Sequence, residues 1–225
     1  MSTVFITATG TDIGKTFVTA GLIRHIRAAG GTADALKPVV SGFDPDAWQE
    51  SDPALLLAAL GRRLTLDELD RISPWRFRAP LSPHMAARQE GRAIAFPEVV
   101  EFCRRTIAAR RGTLLIEGIG GIMVPIDDRR TVLDWMSTLR IPIVLVAGSY
   151  VGTMSHTLTS LEVLVRRNLN VAAVVISESE GSAASLDDTV ATLQRFANSI
   201  DVVGIPRLAP GATDDAAFGR IAALL

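Results

Sequence analysis

The stretch Ala8-Thr9-Gly10-Thr11-Asp12-Ile13-Gly14-Lys15-Thr16 carries the residues best suited to chemistry in this chain. Glycines let backbone N–H groups close around phosphate oxygens, and the start of a helix adds a partial positive charge. Lys15 offers a full positive charge to the β- and γ-phosphates of a nucleoside triphosphate, and the Thr16 hydroxyl can ligate Mg²⁺. The strict spacing of such a loop asks for glycine five residues before Gly14, where Thr9 stands. Ala8 lies one residue earlier, and Gly10 is the candidate for the permissive backbone. An ordinary strand–helix turn with an exposed lysine is the plain alternative. The position of Gly-Lys-Thr between an apolar strand and a helix weighs against it.

Four further segments follow apolar runs or open helices. Lys37, in Ala35-Leu36-Lys37-Pro38-Val39-Val40-Ser41-Gly42, is a cation at a strand end, either a ligand group or a solvated lysine. Asp52, before Pro53, is either a helix N-cap or a metal ligand. Glu117, in Leu114-Leu115-Ile116-Glu117-Gly118-Ile119-Gly120-Gly121, directly follows a buried apolar run, where phosphate-loop enzymes hold Mg²⁺. Without such a role it needs another partner to offset its desolvation. Ser149-Tyr150-Val151-Gly152-Thr153-Met154-Ser155 starts a helix and reads equally as an anion site or as a plain cap by Thr153 or Ser155. Both Lys15 and Lys37 are expected to lie outside the core.

The elements that must position these groups alternate. Val4 to Thr7 is a strand; Lys15 to Ala29 is a helix with Val18, Leu22, Ile23 and Ile26 along one side. Ala33 to Val40 is a second strand, interrupted late by Pro38. Helices begin at Asp52-Pro53, at Thr65-Leu66-Asp67-Glu68 as a capping box, and at Ser82-Pro83; a longer one runs from Phe96 to Arg111 and closes at Gly112. Thr113 to Ile116, Ile141 to Ala147, Val171 to Ile176 and Val202 to Ile205 are continuous apolar runs, as expected for strands covered on both faces. Helical patterns separate or follow them at Val132 to Leu139, Met154 to Arg167, Leu186 to Ala197 and from Asp214. This alternation predicts an α/β fold with a mostly parallel central sheet and helices on both faces, the three-layer arrangement of P-loop NTPases. Ligands on such sheets bind beyond the carboxyl ends of the strands.

Composition narrows the function. A net charge of −1, with no basic stripe, argues against a nucleic-acid surface. The arginines Arg104, Arg105, Arg110 and Arg111 read as the wet face of a helix. The single cysteine, Cys103, forms no intramolecular disulfide or zinc cluster and reads as packing. His25, His84 and His156 are scattered. No leader pattern opens the chain and no apolar run is long enough to span a bilayer, so a cytoplasmic, membrane-free protein of one domain, residues 1–225, is expected.

Taken in order, several segments resemble the dethiobiotin synthetases, the ring-closing enzymes of biotin biosynthesis. They are Gly10 to Thr16, Lys37 to Gly42, Ser51-Asp52, Pro80-Leu81-Ser82-Pro83-His84, Glu117 to Gly121 with Pro125, Asp134-Trp135, and Gly152 to His156. The similarity runs from about Val4 to Leu208. It implies an ATP- and Mg²⁺-dependent cyclo-ligase that turns 7,8-diaminopelargonate and CO₂ into dethiobiotin through a carbamate and a carbamic–phosphoric mixed anhydride. It further implies catalytic roles for Lys15, Lys37 and Thr11, and Mg²⁺ ligation by Thr16, Asp52 and Glu117. Nucleotide contacts fall to Asp12, Ile13, Gly14, Lys15, Thr16, Phe17, Asp52, Glu117, Gly118, Ile119 and Gly120, with Ser177, Pro206, Arg207 and Leu208 around the base. Ser41, Gly152, Thr153, Met154 and Ser155 are implied to bind the substrate, the last four across a homodimer interface. The chain departs from the family at Ala8, usually glycine, and at Ser177-Glu178, usually Asn-Asp. A serine offers fewer hydrogen bonds to a base than a carboxamide. A partitioning-type P-loop ATPase switch is the alternative; it explains the phosphate loop and Glu117 but not Lys37 to Ser41.

Overall fold

In a computed structural model, residues 2–208 and 215–225 are described. Six strands form the main sheet: β1 (Thr3–Ala8), β2 (Ala33–Leu36), β5 (Thr113–Glu117), β6 (Ile143–Gly148), β7 (Val171–Ser177) and β8 (Asp201–Ile205). Their order is β2-β5-β1-β6-β7-β8 and each neighbouring pair is parallel. Every residue of β1 and of β6 is buried. Because strand side chains alternate between faces, burial at every position means that both faces are covered.

The cover is helical: α1 (Lys15–Ala28), α2 (Asp52–Ala59), α3 (Leu66–Ile72), α4 (Pro83–Gln89), α5 (Phe96–Ala109), α6 (Val132–Leu139), α7 (Thr153–Arg166), α8 (Leu186–Phe196) and α9 (Asp215–Ala223). α1 packs against α2 and α9, α5 against α6, and α7 against α8. Trp135 of α6 meets Phe5 of β1 edge to face at 5.0 Å, a contact worth about 0.5–1.5 kcal/mol beyond its buried area. The Asp134-Trp135 pair is therefore architectural: Asp134 completes a capping box with Thr131, and Trp135 fills the core. Cys103 is also core, its thiol pushed up to about 12 by burial.

Several expectations need correction. Pro38 divides the second strand into two: β2 stays in the main sheet, and β3 (Val39–Ser41) pairs with β4 (Trp75–Phe77) in a separate two-stranded sheet. Proline has no N–H to continue a ladder; its carbonyl instead accepts from Trp75 at 3.1 Å. Asp52 is not the cap of α2. Ser51 holds that place, and Asp52 is the first helical residue with its side chain free for other work. At α3 Thr65 accepts from the Glu68 amide, the forward half of the expected box. The proposed helix start at Asp214 lies outside the described residues.

Candidate active site

Sheet register brings the first groups together. Leu36 stands beside Ile116, and Ile6 beside Glu117. Lys37, the residue after Leu36, therefore leaves the sheet next to Glu117, at the same carboxyl edge from which the phosphate loop departs after β1. α2 contributes Asp52, and α1 contributes Lys15 and Thr16.

The left-handed backbone of the loop falls at Asp12 (φ 56°) and Gly14 (φ 94°), not at Gly10. Aspartate tolerates that region better than most residues. Gly14 has no such choice: a Cβ there would also sit 2.7 Å from Ser177 Oγ. At Gly121 a Cβ would come within 3.0 Å of the Thr9 carbonyl, so the β5–α6 segment touches the loop backbone directly. Ala8 is the last residue of β1 and fully buried, so the residue usually glycine in the family lies here in regular strand.

Both lysines are buried, at 7% and 2% exposure for Lys15 and Lys37, against the expectation that they would lie outside the core. Lys15 Nζ donates to the Gly10 carbonyl at 2.9 Å. Burial, then the neighbouring charge of Lys37, lowers its pKa to about 8. Lys37 Nζ donates to Asp52 Oδ2 at 2.6 Å and to Glu117 Oε1. Burial alone would lower its pKa, but the two carboxylates outweigh that and hold it above its ordinary value. Burial likewise acts upward on Asp52, and the Lys37 ammonium overrides it to keep this carboxyl below its usual range. Thr16 Oγ1 donates to Glu117 Oε1 at 2.7 Å.

Glu117 is fully buried, and among the described residues its Oε2 has no hydrogen-bond partner. A buried carboxylate oxygen left unpaired is costly. Placed beside Thr16 Oγ1 and Asp52, it fits a hard cation that takes oxygen ligands and shares its shell with phosphates. The donor set thus suits Mg²⁺.

A cavity of about 730 Å³ opens above this cluster. Its walls include Thr11, Asp12, Ile13, Gly14, Lys15, Thr16, Phe17, Lys37, Ser41, Asp52, Ile119 and Gly120, so twelve sequence-derived candidates meet in one place. Gly118 does not reach it; its backbone packs on Phe5, and its amide donates to Ile6. Val40, Pro80, Leu81, Ser82, Pro83 and Val124 also line the cavity without having been assigned a role. The Pro80-Leu81-Ser82-Pro83 motif was the available signal, and the β3–β4 pairing carries it to the site. A second cavity of about 850 Å³ lies on the other side of Gly14 and Phe17, lined by Ser177, Glu178, Ser179, Glu180, Pro206, Arg207 and Leu208. There Glu178 accepts from the Arg207 amide at 2.8 Å, and Arg207 pairs with Glu180 at 3.0 Å. Gly152, Thr153, Met154 and Ser155 line neither of these two cavities. Gly152, at φ 96°, caps α7, and the Thr153 hydroxyl donates back to the Gly148 carbonyl.

Fold and site together define a P-loop nucleotide-binding protein of the α/β class. A family model described as an AAA domain matches residues 2–210. The cell division ATPase MinD of Pyrococcus furiosus shares the fold, with a TM-score of 0.55 at 14% identity, covering 100% of this chain and 98% of that one. The curated relatives are more specific. The ATP-dependent dethiobiotin synthetase BioD of Caulobacter vibrioides is 48% identical over 208 residues, covering 92% of this chain and 93% of its own. That of Acidiphilium cryptum is 49% identical over 196 residues, covering 87% and 88%. The chain belongs to the dethiobiotin synthetase family.

Proposed function

We propose that this chain is a single-domain ATP-dependent cyclo-ligase that makes dethiobiotin from 7,8-diaminopelargonate and CO₂. The observation that carries the reading is the pair of buried lysines, Lys15 and Lys37, facing one cavity with Ser41, Asp52 and the phosphate loop. The reaction must bring two anions together, a carbamate and a triphosphate, and fixed cations in a water-poor site lower that barrier.

The steps follow from this charge pattern. One substrate amine attacks CO₂ and loses a proton, giving a carbamate beside Lys37 and Thr11. A carbamate oxygen attacks the γ-phosphorus and ADP leaves, with Lys15 compensating the charge on the β- and γ-oxygens. The second amine then attacks the carbonyl carbon of the mixed anhydride. The C–O bond to phosphate breaks, the attacking nitrogen gives up a proton to the departing phosphate, and the ureido ring closes. Thr16, Asp52 and Glu117 would hold Mg²⁺, which when bound would offset charge on the phosphate oxygens. Ser41 orients the diamine. The phosphate loop, from Asp12 to Phe17, together with Ile119 and Gly120, holds the triphosphate. Ser177, Pro206, Arg207 and Leu208 hold the base.

The α7 start fits a role across a homodimer. Val151 is 86% exposed immediately before Gly152, where α7 begins, and a helix N-terminus is able to hold a carboxylate. Among the described residues no helix is long and apolar enough to cross a membrane; we place the enzyme in the cytoplasm, with small-molecule substrates and no nucleic-acid partner. A partitioning-type switch shares the fold but leaves the Lys37–Ser41 segment without a purpose. The test is phosphate release from ATP with Mg²⁺, bicarbonate and diaminopelargonate. Release that is independent of the diamine would overturn the reading.

A further inference from the structure

The charged groups beneath the cavity are balanced among themselves. Lys37 spends two of its ammonium protons on Asp52 and Glu117, the two carboxylates read above as metal ligands. The third such ligand, the Thr16 hydroxyl, gives its proton to the same Glu117 oxygen that Lys37 holds. Glu117 Oε2 is buried without a hydrogen-bond partner among the described residues, and such an oxygen alone is far short of a hard cation's shell. A divalent ion drawn to these oxygens meets a full positive charge already seated on them.

Lys37 cannot simply swing away. It is 2% exposed, and an ammonium that leaves its carboxylates without a new partner becomes an unpaired buried charge. Lys15 lies close enough to be felt as a repelling charge, which bars one direction of retreat. The groups able to receive the ammonium are anionic oxygens brought into the cavity that Lys37 lines. A triphosphate brings such oxygens, and a carbamate brings more.

We propose that Lys37 is an internal counter-cation that keeps divalent metal off Asp52 and Glu117 until a triphosphate arrives, so that metal and nucleotide bind as a unit. The proposal rests on the assignment of Thr16, Asp52 and Glu117 as the metal ligands. It gives Lys37 two successive partners, the carboxylates in the resting protein and the reacting anions afterwards. It also makes free Mg²⁺ at ordinary concentrations a poor ligand of the protein.

The experiment is Mn²⁺ binding to the full chain, followed by the electron-spin signal of the free ion, with no nucleotide added. Lys37→Met is expected to bind Mn²⁺ alone at least ~10-fold more tightly than the wild type, about 1.4 kcal/mol. The double variant Lys37→Met/Glu117→Gln is expected to lose that gain. Lys37→Gln, which keeps a donor against both carboxylates without the charge, gives the same comparison should Lys37→Met fail to fold. In parallel, the affinity for a non-hydrolysable ATP analogue is measured with and without Mn²⁺ in the wild type and in Glu117→Gln. Equal Mn²⁺ affinity in the wild type and both Lys37 variants, with analogue binding still enhanced by the metal through Glu117, overturns the proposal and leaves the functional reading intact. Analogue binding indifferent to Mn²⁺ in the wild type removes the ligand assignment, and the proposal falls with it.

Discussion

Lys15 sets a pH limit on nucleotide binding. Its pKa is lowered to about 8, first by burial and then by the charge of Lys37. Below that pH the free protein presents an ammonium to the phosphates; above it, a neutral amine. A bound triphosphate favours the charged form and raises the pKa again. Affinity is therefore flat up to about pH 8 and falls above it as binding has to take up a proton. At pH 9 roughly one Lys15 in ten is charged, which corresponds to a loss of about 10-fold in affinity. The triphosphate adds no titration of its own in this range, since the second phosphate pKa is about 6. The assay is calorimetric titration with a non-hydrolysable ATP analogue from pH 7.5 to 9.5, in two buffers of different ionisation enthalpy to count the proton. Lys15→Met should bind more weakly at pH 7.5 and show no inflection. Lys37→Met should move the wild-type inflection upward, because one of its causes has gone. An affinity that stays flat to pH 9.5, or an inflection that persists in Lys15→Met, would refute the reasoning.

Lys37→Ala leaves Glu117 buried without its cation, and by analogy with other broken buried pairs should cost about 3 kcal/mol of stability. Urea unfolding checks this, and Lys37→Ala/Glu117→Gln should recover part of the loss; a single variant as stable as the wild type would show that the pair is not buried as described. Lys37→Ala should also depress turnover severely, and normal activity would remove the residue from the mechanism. Ser177→Asn places a carboxamide in the cavity proposed to hold the base and should raise the ATP-to-GTP ratio of kcat/KM by about 10-fold, the worth of a good buried hydrogen bond; an unchanged ratio would mean that the base is read elsewhere. Val151→Asp, at the 86% exposed residue before Gly152, should yield a monomer in sedimentation and raise KM for diaminopelargonate but not for ATP. A variant that remains dimeric would move the interface elsewhere.

Much of the architecture was legible because its signals are local. The apolar runs at Leu114–Ile116 and Val171–Ile176 are too uniformly hydrophobic for a wet face, and they are buried strands. The break at Pro38 was legible too, but not its outcome: where the chain goes after leaving the sheet depends on Trp75–Phe77, three residues too short to announce a strand. Asp52 illustrates the opposite failure. Asp-Pro reads as cap and first turn, yet Ser51 takes the cap, and what holds Asp52 is a lysine fifteen residues away.

By itself the sequence determined the chemistry on offer: a phosphate loop, two lysines, two carboxylates and a segment pattern shared with one enzyme family. Local spacing and apolar periodicity carry that much, because they depend on neighbours along the chain. Only the tertiary structure decided how those groups treat one another. Parallel register sets Lys37 beside Glu117, and α2 brings Asp52 to both. Burial then turns two lysines expected outside the core into one with a lowered pKa and one clamped between acids. The physical reason is that Coulomb energy and desolvation depend on distance and depth, and neither is written in the order of residues.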